Sequence, residues 1–309
     1  MKILILESNY YSIKAQKIYS SIGKVYKRYN KKKNYSKISI IVSRLGYKLD
    51  ENFLKKFTNL NLIITNTTGT DHIDFNYLKK KNIKVISLKN CKSDVKKIQS
   101  TAELTLGLII LLHRNILKYC DNIKKNNWNR YAYKSESFKG KTVGIIGYGR
   151  IGKQLKKFFS LLQMKIVFFD TNKKYKKNKL YVTLRSLLKQ SDILSINASL
   201  NAKSTNLISK REFLLMKKNV VIVNSARAEI IDEKYLYKYI KNKKISGFAS
   251  DVQKFESKKI IKKGVLQLAK ENNYNVILTP HIGGATFDAM RETEEMVANY
   301  FKKNKKNYV

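Results

Sequence analysis

The chain has 309 residues, more than one hydrophobic core usually holds, and its 43% apolar content excludes global disorder. A formal net charge of +42 invites a nucleic-acid reading, but the excess is lysine, 55 Lys to 9 Arg, amid abundant Asn, Ile and Tyr and a single proline. That is the mark of A/T-rich codons rather than of arginine forks built to read phosphates and bases, so no nucleic-acid partner is expected; two cysteines, Cys91 and Cys120, exclude a disulfide framework and fit a reducing compartment.

In chain order, residues 2–7 are a short apolar run closed by Glu7, read as a buried first strand rather than a secretory leader. Strand candidates follow at 24–26, 38–43, 60–66 and 84–88, with helical stretches between them such as 51–57 and 77–81. Such alternation implies a parallel sheet covered on both faces. Residues 101–117 predict one long helix, apolar nearly all round, which must be buried against a neighbouring domain or in a subunit interface. Its greasiest stretch, 104–112, is about half of what a bilayer crossing needs, so a soluble cytoplasmic protein without a membrane partner is expected. A second alternating series runs through 142–146, 166–169, 193–196, 220–224, 247–250 and 276–278, and 285–303 predicts a charged amphipathic helix. The Lys runs at 31–33, 173–177 and 302–306 read as solvated loops and ends. The fold class expected is α/β, with two Rossmann-like doubly wound parallel-sheet domains and a cleft between them.

Four segments carry chemistry. The run from Thr142 to Gly152 is a strand entering a glycine-rich turn and then a helix. Gly147 permits the tight turn, Gly149 lets the backbone approach a pyrophosphate, and Gly152 lets the helix pack close to its strand. A second strand ends in Asp170, 18 residues past Gly152, where a carboxylate can accept from ribose hydroxyls and repel a 2′-phosphate, favouring NAD over NADP. Asn224-Ser225-Ala226-Arg227 closes an apolar strand and brings a guanidinium to a strand end, suited to a carboxylate. The segment Asp251 to Glu256 follows another strand, and Thr279-Pro280-His281-Ile282-Gly283-Gly284 follows the last. A His next to a Glu has its protonated form stabilised, which suits an acid/base group.

Together with Thr67 to Asp74, Thr101 to Leu106, Gly140 to Gly144, Met216-Lys217 and Ile231-Asp232-Glu233, these segments resemble the D-isomer-specific 2-hydroxyacid dehydrogenases, which include phosphoglycerate dehydrogenase, over nearly the whole chain. The resemblance implies an NAD-dependent enzyme moving hydride between the nicotinamide and C2 of a small anionic 2-hydroxy or 2-oxo acid, possibly of the phosphoglycerate type, with no metal. By that resemblance His281 is the general acid/base, Glu256 its partner, and Arg227 the holder of the substrate carboxylate. Thr68 and Gly69 cradle the same carboxylate, Thr68 also reaching the cofactor. Arg150 and Ile151 meet the pyrophosphate, and Ala198, Ser225, Asp251 and Gly284 line the cofactor, Asp251 at the carboxamide. Residues 1–98 plus 285–309 then form a flavodoxin-like substrate-binding domain and 99–284 the NAD-binding Rossmann domain, with 101–117 building a homodimer interface.

Where the family usually has Pro, Pro and Gly, this chain has Ser199, Ser257 and Ala228. A longer loop at 88–100, together with Arg44 and Lys48, is a place where substrate choice can be shaped, though ordinary surface charge explains it equally. The competing class is a non-catalytic NAD-sensing regulator or scaffold on the same fold; a formate- or phosphonate-type dehydrogenase is a second enzyme alternative.

Overall fold

The computed structural model describes residues 1–30, 33–91, 94–131, 135–254, 256, 264–271 and 273–308. Parts of the 31–33 lysine run and the 88–100 loop, and the Ser257 departure, lie outside these residues. The chain divides into two compact units, Met1–Ile98 with Ala285–Val309, and Gln99–Gly284.

The first unit holds five parallel strands, β1 (Lys2–Ile5), β2 (Lys24–Lys27), β3 (Ile40–Ser43), β4 (Leu62–Thr65) and β5 (Lys84–Ile86), in the order β2-β1-β3-β4-β5. The inner strands β1, β3 and β4 are apolar on both faces because both are covered. Ile3, Ile5, Val42, Leu62 and Ile64 pack with Tyr19, Val297 and Phe301, while Leu4, Ile41 and Ile63 pack with Leu54, Phe57 and Leu78 on the other side. Val297 and Phe301 belong to the helix Phe287–Asn304, whose first turn is capped by the Thr286 hydroxyl accepting from the Ala289 amide.

The second unit holds β6 (Thr142–Ile146), β7 (Lys165–Phe169), β8 (Ile193–Ile196), β9 (Val220–Asn224), β10 (Ile245–Ser250) and β11 (Val276–Leu278). All pair in parallel, in the order β11-β10-β9-β8-β6-β7, so the strand order reverses between β6 and β8. The helices Ser100–His113 and Arg150–Leu161 cover one face: Ala102, Leu108, Ile109, Leu112, Leu155 and Phe159 lie against Val143, Ile145, Val221 and Val223.

The single helix expected over 101–117 is two. Ser100–His113 stops, Asn115 takes a left-handed φ of 50°, and a second helix, Ile116–Lys124, sets off with none of its residues buried. Asn tolerates that conformation better than other side-chained residues, and a polar residue between two apolar runs gave the break no hydrophobic signature. No helix among the described residues is long and apolar enough to cross a membrane.

Candidate active site

The glycine-rich turn sits at the C-terminal end of β6, beside the point where strand order reverses, which is where doubly wound sheets take ligands. Gly147 has φ 92°, and a Cβ there would stand 2.6 Å from the Ala198 amide nitrogen at the end of β8, so the position admits only glycine. A Cβ on Gly149 would meet nothing within 4 Å, which leaves open space over the first turn of the helix Arg150–Leu161, and no side chain caps that helix start. Gly152 explains the tight seat of the helix, since a Cβ would come within 2.4 Å of the Gly147 carbonyl oxygen. Burial lowers the pKa of Arg150 in this first turn.

Asp170, just past β7, is pinned from both sides: Oδ2 accepts from the Tyr148 amide and Oδ1 from the Asn172 amide, each at 2.8 Å. Each oxygen keeps a lone pair for a further donor, so the carboxylate is oriented without being used up. A glycine turn that only glycine can make, an open space above uncapped amides, and a fixed carboxylate at the next strand end fit a dinucleotide.

Three further strand ends supply the ionisable groups. Past β9, Asn224 ties its own turn, accepting from the Ala226 amide at 3.0 Å and donating to the Arg227 carbonyl at 2.9 Å, and Arg227 Nη1 donates to the Ala226 carbonyl at 2.7 Å. Ser225 accepts from the Thr105 hydroxyl at 2.8 Å and donates to Asn197 Oδ1 at 3.4 Å, linking the ends of β8 and β9 to the helix Ser100–His113. Past β11, His281 takes a φ of 56°, unusual for a residue with a side chain. Its Nδ1 lies 2.7 Å from Glu256 Oε2. Burial pushes the Glu256 carboxyl up, but the hydrogen bond and charge of His281, the Gln253 amide and the charge of Arg227 outweigh it and leave the pKa below the ordinary range. The charges of His281 and Arg227 thus both bear on Glu256.

Asp251 is held by the loop that follows β11. The side chain is 2% exposed; Oδ1 accepts from the Thr279 hydroxyl at 2.5 Å and the Ile282 amide at 2.8 Å, and Oδ2 from the Gly283 amide at 2.7 Å. It anchors the loop that carries His281. Asn197 was absent from the sequence reading, and Thr105 and Thr279 stood in the segments named there without a role of their own, because their contribution is a hydrogen bond between separate segments, which spacing along the chain does not encode. Where the family usually has proline, the carbonyl of Ser199 accepts from the Ser204 hydroxyl at 2.8 Å, which in turn accepts from the Asn201 amide at 2.8 Å, so hydrogen bonds hold this turn.

In the first unit, Thr68 is exposed on the turn after β4, shaped by the Thr67 hydroxyl donating to the Gly69 carbonyl at 2.6 Å. Arg44, read above either as shaping substrate choice or as ordinary surface charge, pairs with Glu294, whose side chain has 0% exposure.

Residues 106–283 match the family described as D-isomer specific 2-hydroxyacid dehydrogenase, NAD binding domain. A protein of Staphylococcus haemolyticus carrying the name 2-hydroxyacid dehydrogenase is 32% identical over 269 residues, 84% of this chain and 80% of that one. A Staphylococcus aureus protein of the same name is 32% identical over 267 residues, again 84% and 80%. The crystal structure of D-lactate dehydrogenase from Aquifex aeolicus with NAD and lactic acid superposes with a TM-score of 0.86 at 27% identity, over 99% of this chain and 96% of that one. The chain belongs to the D-isomer-specific 2-hydroxyacid dehydrogenase family. It is an NAD-dependent oxidoreductase, and its two parallel-sheet units are of the Rossmann type.

Proposed function

We propose that this enzyme interconverts a small 2-hydroxy acid and the corresponding 2-oxo acid, with Arg227, Glu256 and His281 as its working groups. The observation that carries the reading is the 2.7 Å contact of His281 Nδ1 with Glu256, beside the charge of Arg227. With Nδ1 donating to Glu256, Nε2 is the nitrogen left to exchange a proton with the substrate. Bound NAD supplies the acceptor or donor of the hydride at C2. In oxidation, neutral Nε2 takes the hydroxyl proton as hydride leaves C2, and the resulting imidazolium is stabilised by Glu256; in reduction the imidazolium returns that proton to the carbonyl oxygen. Arg227 holds the carboxylate with a forked pair of hydrogen bonds and polarises the carbonyl. The turn bearing Thr68 and Gly69 is a second carboxylate ligand in this reading. On the cofactor side, Gly147, Gly149, Arg150, Ile151 and Gly152 take the pyrophosphate, Asp170 the adenosine ribose, and Ala198, Ser225 and Asp251 the nicotinamide half, with Asp251 at the carboxamide and Gly284 also lining the cofactor.

The test is loss of NADH absorbance with a panel of 2-oxo acids of graded size and charge, the phosphoglycerate type included. Turnover of at least one acid supports the reading, and NADH binding without turnover of any would make the protein a sensor. We also place the working unit as a cytoplasmic homodimer. Its support is the segment after the helix Ser100–His113, where Leu117 and Ile123 are 46% and 49% exposed and Trp128 and Tyr131 are 85% and 81% exposed, a concentration of apolar surface that a lone chain leaves wet.

A further inference from the structure

Two stretches of chain meet around the His281 loop, one after β10 carrying Asp251 and Glu256, the other after β11 running from Thr279 to Gly283. Both have fixed roots, because the Asp251 amide donates to the Asn224 carbonyl and the Thr279 amide to the Ser250 carbonyl, each at 3.0 Å. Beyond Thr279 the chain turns at once. The His281 amide donates back to the Thr279 carbonyl at 3.0 Å, closing a three-residue turn across Pro280, the one proline of the sequence. His281 then takes its φ of 56°, a conformation that a residue with a Cβ keeps only where its surroundings impose it.

What imposes it is the Asp251 carboxylate. The next two amides of the loop, Ile282 and Gly283, donate to Oδ1 at 2.8 Å and to Oδ2 at 2.7 Å, one to each oxygen. Both donors ride on the loop that is being placed, so they do not by themselves fix the plane of the carboxylate, whose last torsion is soft. The third donor does. The Thr279 hydroxyl reaches Oδ1 at 2.5 Å from a residue whose amide is tied to the sheet. Oδ1 then has both acceptor positions filled, and Oδ2 keeps one for a further donor. The imidazole is held separately, Nδ1 at 2.7 Å from Glu256 Oε2, while Glu256 Oε1 accepts from the Gln253 amide at 3.1 Å. For the ring to meet Glu256, the backbone at 281 must keep the turn that Asp251 dictates.

We propose that Thr279 is a positioning residue for His281: its hydroxyl orients the Asp251 carboxylate, and the carboxylate sets the turn that brings Nδ1 onto Glu256. The inference rests on the dehydrogenase reading above and adds to it a residue that acts through another.

The experiment compares wild type with Thr279→Val, which removes the hydroxyl at nearly constant size, and Thr279→Ser, which keeps it. Two readings are taken at pH 8: kcat and KM for the best 2-oxo acid at saturating NADH, and long-range proton–nitrogen NMR spectra of the unliganded protein, with the His281 signals identified by their loss in His281→Ala. The expected result for Thr279→Val is a kcat lower by about a hundredfold with KM changed by less than about threefold, while Thr279→Ser stays within about threefold of wild type. In the spectra, wild type and Thr279→Ser should carry the His281 proton on Nδ1, and Thr279→Val should show a mixture of the two tautomers. Wild-type kcat in Thr279→Val overturns the inference, and so does an unchanged His281 spectrum. A loss that Thr279→Ser shares also overturns it, by assigning the residue to packing. If Thr279→Val does not fold, Thr279→Ala is read in the same way; failure of both to fold assigns the hydroxyl to stability and ends the proposal. Wild-type turnover of no acid in the panel counts against the dehydrogenase reading instead, and the spectra then decide alone whether Thr279 places the imidazole.

Discussion

The three side chains proposed as the working group lie at separate strand ends, and each is fixed by a neighbour that sequence spacing does not reveal. Arg227 is shaped by Asn224, His281 by the loop that Asp251 anchors, and Glu256 by the imidazole itself. Arg227→Lys replaces a planar fork with a point charge, so kcat/KM should fall by about a hundredfold while NADH affinity is kept, as steady-state kinetics and fluorescence titration would read. At Gly147, substitution by Ala forces a side chain into a left-handed φ and against the Ala198 backbone; NADH binding measured by calorimetry should be lost or weakened by at least about tenfold. The lowered pKa of Glu256 fixes the sign of a pH effect. A depressed carboxyl stabilises the folded state at pH above its unfolded value, near 4.5, and that contribution is lost as pH falls through the lower folded value. Melting temperature should therefore decline on the acid side more steeply in the wild type than in Glu256→Gln. Identical acid limbs would count against the Glu256–His281 pair.

At the scale of elements, the strands were legible because a parallel sheet buried on both faces writes itself as short apolar runs; β6 and β9 occupy the stretches read from sequence. The boundaries that moved are those set by local geometry, as at Asn115, where a left-handed residue divides one apolar pattern into two helices. Charge inside an element was the harder matter. Glu294 looks like one more acid on an amphipathic helix, yet it has no exposure, because its partner Arg44 lies 250 residues away. Removing that partner leaves a buried carboxylate uncompensated, so Arg44→Ala should destabilise the first unit by about 3 kcal/mol. Glu294→Gln should cost less, since the amide oxygen still accepts from the Ser12 amide. Urea unfolding of both variants, followed by circular dichroism, checks the order; equal losses would assign the stability to packing rather than to the ion pair.

For the molecule as a whole, composition said least where it was loudest. The +42 charge follows lysine-rich usage, and the proposed chemistry rests on a few residues at the strand ends. The exposed Leu117, Ile123, Trp128 and Tyr131 should be covered by a second copy of the chain, so light scattering after gel filtration should give twice the mass of 36.0 kDa. Replacing Trp128 and Tyr131 by Ser should shift that population toward monomer. The central claim is that His281 moves the substrate proton. It is tested most directly by measuring kcat/KM of His281→Ala for the best 2-oxo acid, alongside an NADH titration of the same protein. The account predicts a loss of about a thousandfold with NADH affinity unchanged; retained turnover at wild-type cofactor affinity would contradict it.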